Sequence, residues 1–142
     1  MASVSTQRTR GPQPRTSKVD GLRELAKGLR IDSQFCPESV ESPFDTVAWE
    51  LRSAQIKDEN GGLMFEQKDV EIPANWTQLA TNVIVSKYFY GENGTSEREN
   101  SVKQLIHRVT RTIADWGIDD GYFASEEDGE RFYRELTWLC VN

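Results

Sequence analysis

The sequence predicts an α+β fold: a disordered N-terminal arm, a β-hairpin and about three amphipathic helices. Three observations carry that expectation. Apolar and polar residues alternate over Val47–Leu51 and again at Leu63 and Phe65, on either side of a cluster of turn residues. Further on, apolar residues recur at three- and four-residue steps in three separate stretches. Residues 1–18, by contrast, contain almost no apolar side chain, so they have little to bury and are expected to be disordered.

After the arm, Val19 to Leu29 reads as a short helix, with Leu22, Leu25, Ala26 and Leu29 on one side. Ile31 to Pro43 is rich in Ser, Glu and Pro and reads as a linker. Residues 1–43 are therefore taken as arm and linker, and 44–142 as the ordered body. In the body, Val47, Trp49 and Leu51 form one face of a strand. The phase slips at Ser53, since Ala54 and Ile56 fall on the other parity, which a bulge would explain. Asp58-Glu59-Asn60-Gly61-Gly62 supplies a hairpin loop of about five residues before Leu63. Pro73 blocks helix upstream of the first strong helical pattern. Asn75 is placed to cap that helix, with Gln78 three residues on, and Trp76, Leu79, Ala80, Val83, Ile84 and Tyr88 make its apolar stripe. Gly91 supplies a left-handed position to end it. Ser96 with Glu99 reads as a second capping box, opening a helix to about Trp116 with Val102, Leu105, Ile106, Val109, Ile113 and Trp116 as its stripe. Ser125 with Asp128 opens a third, with Glu126 and Glu127 near the positive end of its dipole and Phe132, Leu136, Leu139 and Cys140 on one face. No internal repeat is evident.

At 142 residues the chain fits one domain. Its charge is uneven. Residues 1–30 carry a net +5 and the other 112 a net −11. An acidic body argues against a nucleic-acid interface, which needs basic side chains to displace counterions. The arm could contact RNA or polyphosphate, in which case binding would fall steeply with salt; a solvated tail is the simpler reading. Two cysteines far apart, in no CxxC arrangement, suit a reducing compartment rather than a disulfide framework. No apolar run is long enough for a membrane helix and the first residues lack a signal-peptide core, so the expected location is the cytoplasm and no membrane partner is expected. The sequons at Asn75 and Asn93 then read as chance matches.

No residue pattern in the chain demands catalysis. His107, the only histidine, falls roughly 140° from the stripe of its helix at 100° per residue and is expected on the solvated surface. Cys140 reads as a small core residue. Cys36 lies in the linker without a cationic neighbour in sequence to lower its pKa. Asp119-Asp120 and Glu126-Glu127-Asp128 are explained by a turn and a helix cap, and match no calcium loop. Trp49, Trp76, Trp116 and Trp138 are expected to pack. The glycines form no phosphate loop. No catalytic, cofactor-binding or metal-binding residue is assigned.

Beyond these local patterns, FEQKDVEIPANWTQLATNVIVSKYFYG at 65–91, preceded by FDTVAWELR at 44–52, resembles the N-terminal region of adenosylcobalamin-dependent (class II) ribonucleotide reductases. The resemblance continues through Glu97-Arg98-Glu99, Ser101-Val102, Leu105, Arg108-Val109, Thr112 to Gly117 and Gly121 to Ala124, and ends with Glu135-Leu136-Thr137 and Leu139. It covers everything from Phe44 onward, about two-thirds of the chain, and leaves out the first forty or so residues.

The resemblance implies an enzyme that reduces ribonucleotides to deoxyribonucleotides for DNA synthesis, with a ribonucleoside-diphosphate reductase activity in the full-length protein. Di- and triphosphate substrates are not separated by anything in the sequence. In that family homolysis of the cofactor's cobalt–carbon bond generates a cysteine thiyl inside a ten-stranded α/β barrel, and a cysteine pair supplies the electrons. The family's FNSPVWFN-like segment, barrel and working cysteines are absent from this sequence, and neither Cys36 nor Cys140 matches a catalytic position. The DxHxxG cobalamin motif of other B12 enzymes is also absent. The resemblance thus implies a structural segment that packs on the barrel, is inactive alone, and does not itself bind adenosylcobalamin. Its partners would be the remainder of the reductase and, through it, ribonucleotide and a dithiol. The alternative is a free-standing, non-catalytic interaction domain derived from that enzyme.

Overall fold

The computed structural model describes residues 28–142, and the architecture is α+β. The arm expected over 1–18, and the helix expected from Val19 apart from its end at Leu29, lie outside the described residues. A short 3-10 helix, Pro43–Thr46, leads into strands β1 (Trp49–Lys57) and β2 (Leu63–Pro73), followed by α1 (Gln78–Lys87), α2 (Val102–Asp119) and α3 (Glu126–Val141). None of these helices is long and apolar enough to cross a membrane.

The two strands pair antiparallel across the loop at 58–62, where Asp58 accepts from the amides of Asn60 and Gly62. The register shifts opposite Ser53, between Arg52↔Val70 and Ala54↔Gln67. The extra residue belongs to β2, not β1: Lys68 and Asp69 face Ser53 alone, and Asp69 adopts φ 53°. The inward face of β2 accordingly switches parity to Val70 and Ile72, both fully buried. On β1 the expected inward Leu51 is instead exposed, and Arg52 turns in. Its guanidinium donates to the carbonyls of Trp76 (2.6 Å) and Ala74 (3.0 Å) and to Thr81 Oγ1 (3.0 Å). A charge is tolerated there because those acceptors replace its water.

Helix α1 starts two residues later than Asn75 would have it. Pro73 completes β2 and its carbonyl accepts from the Trp76 amide, so 73–76 is a turn and Thr77 becomes the cap, accepting from Ala80 N–H at 3.1 Å. The buried face is Thr81 and Val85, continued by Phe89, while Leu79, Val83 and Tyr88 stay outside. Gly91 does adopt φ +85°, but four residues past the end of the helix at Lys87. Its role is close approach: a Cβ there would sit 2.4 Å from the Glu97 carbonyl oxygen.

The capping box expected at Ser96 and Glu99 is realised at Ser101 and Gln104. The segment before Ser101 is held down by the bonds Glu99 N–H to Tyr90 O and Glu71 N–H to Asn100 O, each at 2.9 Å, so it cannot join the helix. Ser125 caps α3 as the sequence indicates, accepting from Asp128 N–H at 3.1 Å. The core gathers Ala54, Val70 and Ile72 of the hairpin, Val85 and Phe89, then Val102, Leu105 and Ile106 of α2, and Val141 at the end of α3.

Residues 28–41, within and just before the expected linker, run against α3. Leu29 is extended rather than helical, pairing with Phe123 and exchanging hydrogen bonds with Tyr122 O (2.8 Å) and Ala124 N–H (2.9 Å). Asp128 accepts from Ile31 N–H at 2.9 Å, and the Glu135 carboxylate from the amides of Gln34, Phe35 and Cys36 at 3.1, 2.8 and 3.1 Å. Arg134 donates to the carbonyls of Pro37, Val40 and Glu41. Side chains of α3 thus satisfy backbone groups that have no strand partner.

Candidate functional site

A cluster of buried polar groups lies at the loop between α1 and α2. Glu99, 8% exposed, accepts from Arg108 Nε at 2.8 Å, Arg108 Nη2 at 3.2 Å and the Tyr90 amide at 2.8 Å. Burial pushes the Glu99 carboxyl up, but these donors and the charges of Arg108 and Arg98 together hold it below the usual range. Arg98 donates to the carbonyls of Phe89 and Gly91 at 2.7 and 2.9 Å, and to Gln67 Oε1 at 2.9 Å. These bonds fix chain segments, and Gln67 and Arg98 also line an open polar cleft of about 570 Å³ with Glu66, Lys68, Asn93 and Asn100.

Apolar surface is arranged differently. Residues Val109, Ile113 and Trp116 of α2, expected to be buried, are 41%, 39% and 64% exposed. Beside them lie two grooves. The first, about 300 Å³, has walls from Trp76, Ile84 and Tyr88 on one side and Leu105 and Val109 on the other. The second, about 470 Å³, lies between Ile113 and Trp116, the 29–31 segment, and Phe123 with Phe132. The α2 face turned toward α3 is instead Thr110 and Ala114, and Thr110 Oγ1 bonds Thr137 Oγ1 at 2.9 Å in the interior. The periodicity located the apolar side of α2 correctly. It could not reveal that half of that side has no cover among the described residues.

The candidate residues scatter. His107 is exposed, as its angle indicates, and its Nδ1 bonds Tyr133 OH at 2.8 Å with the rings edge to face. Arg111 sits 4.8 Å over the Tyr133 ring. Cys36 is buried at 3% and receives a 3.6 Å contact from Arg134; burial pushes its thiol up, and the Arg134 charge only partly offsets that. Cys140 is exposed rather than in the core, lining the first groove, although partial burial of its sulfur pushes the thiol up. Both thiols are therefore poor nucleophiles at neutral pH. Asp119 and Asp120 form the end of α2, and Glu126 to Asp128 the first turn of α3. Among the described residues no group of three or more His, Cys, Asp or Glu could hold a metal ion. Trp49, Trp76 and Trp138 pack as expected: Trp49 donates to Phe44 O at 2.8 Å, Trp76 to Val141 O at 3.3 Å, and Trp138 stacks on Phe35. Trp116 is the exception.

What the described residues assemble is an exposed apolar face along α2 with a groove on either part of it. Comparison with known proteins gives it a context. The family profile described as class II vitamin B12-dependent ribonucleotide reductase matches residues 50–142. The vitamin B12-dependent ribonucleotide reductase of Rhodopirellula baltica is 64% identical over 122 residues, covering 85% of this chain and 12% of that protein. The enzyme of the same name from Streptomyces coelicolor is 41% identical over 138 residues, covering 96% of this chain and 14% of its own length. That from Bradyrhizobium diazoefficiens is 26% identical over 135 residues. The chain thus spans only 12–14% of the length of its two more similar relatives. With the profile covering well over half of its residues, the chain belongs to the class II vitamin B12-dependent ribonucleotide reductase family, matching an N-terminal region of it.

Proposed function

We propose that this chain serves as the N-terminal structural segment of a reductase that converts ribonucleoside diphosphates to deoxyribonucleotides for DNA synthesis in the cytoplasm. Residues 44–142 are its body, residues 1–43 are an arm and a linker whose 31–41 part is bonded to α3, and the partner of the body is the remainder of the reductase with its catalytic barrel. The segment supplies no reacting thiol and is inactive alone. The reading rests on one observation above all: a row of exposed apolar side chains on α2, in a chain that matches 12–14% of the length of its relatives. Isolated domains seldom leave a contiguous patch of that kind uncovered.

On this reading the adenosylcobalamin of the full enzyme is held elsewhere. Both grooves are walled by hydrocarbon and offer few donors to the amide fringe of a corrin, and His107 is engaged at Nδ1 by Tyr133. These residues do not fit the cofactor, and no step is routed through it. What the chain does by itself is hold a surface in shape, with the Glu99 cluster fixing the α1–α2 loop and the α3 side chains fixing the 31–41 segment before the body.

Turnover tests this directly. The isolated chain, given adenosylcobalamin, a ribonucleoside diphosphate and a dithiol, is expected to yield no deoxyribonucleotide. A fusion that puts this chain in place of the equivalent segment of the Rhodopirellula baltica enzyme is expected to turn over. Product from the isolated chain, or none from the fusion, would overturn the proposal.

A further inference from the structure

The two grooves share no lining residue, yet both lie along one track of α2 side chains. Val109 borders the first and Ile113 the second, and residues four apart stack on one helix face, so a single row of α2 side chains serves both. From Leu105 to Trp116 the row is roughly 17 Å long at 1.5 Å per residue, about three helical turns. An apolar row of that length, grooved at both ends, fits one amphipathic helix laid alongside α2.

Where the chain leaves α3 decides which helix. Val141 is fully buried, and its carbonyl is held by the indole of Trp76, which is itself a wall of the first groove. Cys140, one residue earlier, lines that groove. In the longer relatives, whose length is mostly outside the matched region, polypeptide continuing from this point begins at the mouth of the track. The exposed apolar residues of the hairpin, Leu51, Leu63 and Met64, border neither of these grooves.

We infer that the track along α2, from Tyr88 to Trp116, is the seat of a helix from the polypeptide that follows residue 142 in the longer reductases, and that this helix covers Cys140. The inference rests on the structural-segment reading above and specifies which surface that segment uses.

Maleimide labelling of Cys140 at mildly alkaline pH, read by peptide mass spectrometry, tests it in the isolated chain and in the fusion with the Rhodopirellula baltica remainder. Cys140 is expected to label readily in the isolated chain and at least about tenfold more slowly in the fusion. The double substitution Val109→Glu and Ile113→Glu, at positions already exposed, should restore labelling in the fusion. The pair Leu51→Glu and Met64→Glu should leave protection intact, and unchanged melting of each isolated variant excludes unfolding as the cause. Equal labelling in chain and fusion overturns the inference, as does protection that only the hairpin pair abolishes. Protection that grows with the concentration of the isolated chain points to a second copy and also overturns it. A fusion that turns over with Cys140 open leaves the structural-segment reading standing and removes only this one. Protection of Cys140 in an inactive fusion does the reverse.

Discussion

Glu99 ties the loop after α1 to the second turn of α2 through Arg108 and the Tyr90 amide. Glu99→Ala strands that amide and leaves Arg98 with one fewer neighbouring charge, while Arg108, 41% exposed along its side chain, can recover water. The expected cost is about 2 kcal/mol, the range for a buried group deprived of its partner, measurable by urea unfolding. Gly91 makes a second residue-scale test. Gly91→Ala combines a positive φ with a 2.4 Å approach to Glu97 O, whereas Gly94 has φ +87° and open space around it. Gly91→Ala should cost clearly more than the roughly 1–2 kcal/mol expected for Gly94→Ala from the left-handed backbone alone. Sequence signalled Gly91 as a helix terminator; its real neighbour, Glu97, is visible only once the loop has folded back.

At the scale of elements, the Glu135 carboxylate and Arg134 bind the 34–41 stretch to α3 mainly through its backbone. Glu135→Ala should raise amide exchange at Gln34, Phe35 and Cys36 and open Cys36 to alkylation, with little change in the exchange of α2; hydrogen-exchange mass spectrometry reads both. Because such bonds go from side chains to peptide groups, they carry no hydrophobic pattern, and the composition of 31–43 reads as a linker. Elements with local causes were legible. The five-residue loop and the Ser125 cap follow from neighbours within a few positions, whereas the irregularity read at Ser53 comes from the extra residue across the hairpin at Lys68 and Asp69. Which face of α1 turns inward was not, because Arg52 reaches across from β1 to Thr81 and the Trp76 carbonyl and draws that side of the helix down. Leu79 and Val83 are left outside in consequence.

For the molecule as a whole, three carboxylates link stability to pH. Burial pushes Glu71 up, but Ser101 and Lys103 more than offset it; Glu99 behaves alike under Arg108 and the Tyr90 amide; and the Ile31 amide, with Ser125, holds Asp128 down. Each folded pKa lies below its unfolded value, so the contribution is complete above the ordinary carboxylate range and disappears as pH falls through the folded values. Thermal melting should be flat above about pH 5 and drop below about pH 4. The apolar face of α2 and the membership of the family were the parts of the function legible in residues. That the same face would be left bare required the packing of Thr110 and Ala114 against α3. One further consequence lies in Val141, whose side chain closes the core that Ala54 and Val70 begin some seventy or more positions earlier. During synthesis the ribosome must release the end of α3 before the hairpin finds its last neighbour, so nascent chains halted short of that point should be chaperone clients and protease-sensitive, and become resistant in one step once residue 141 clears the exit tunnel.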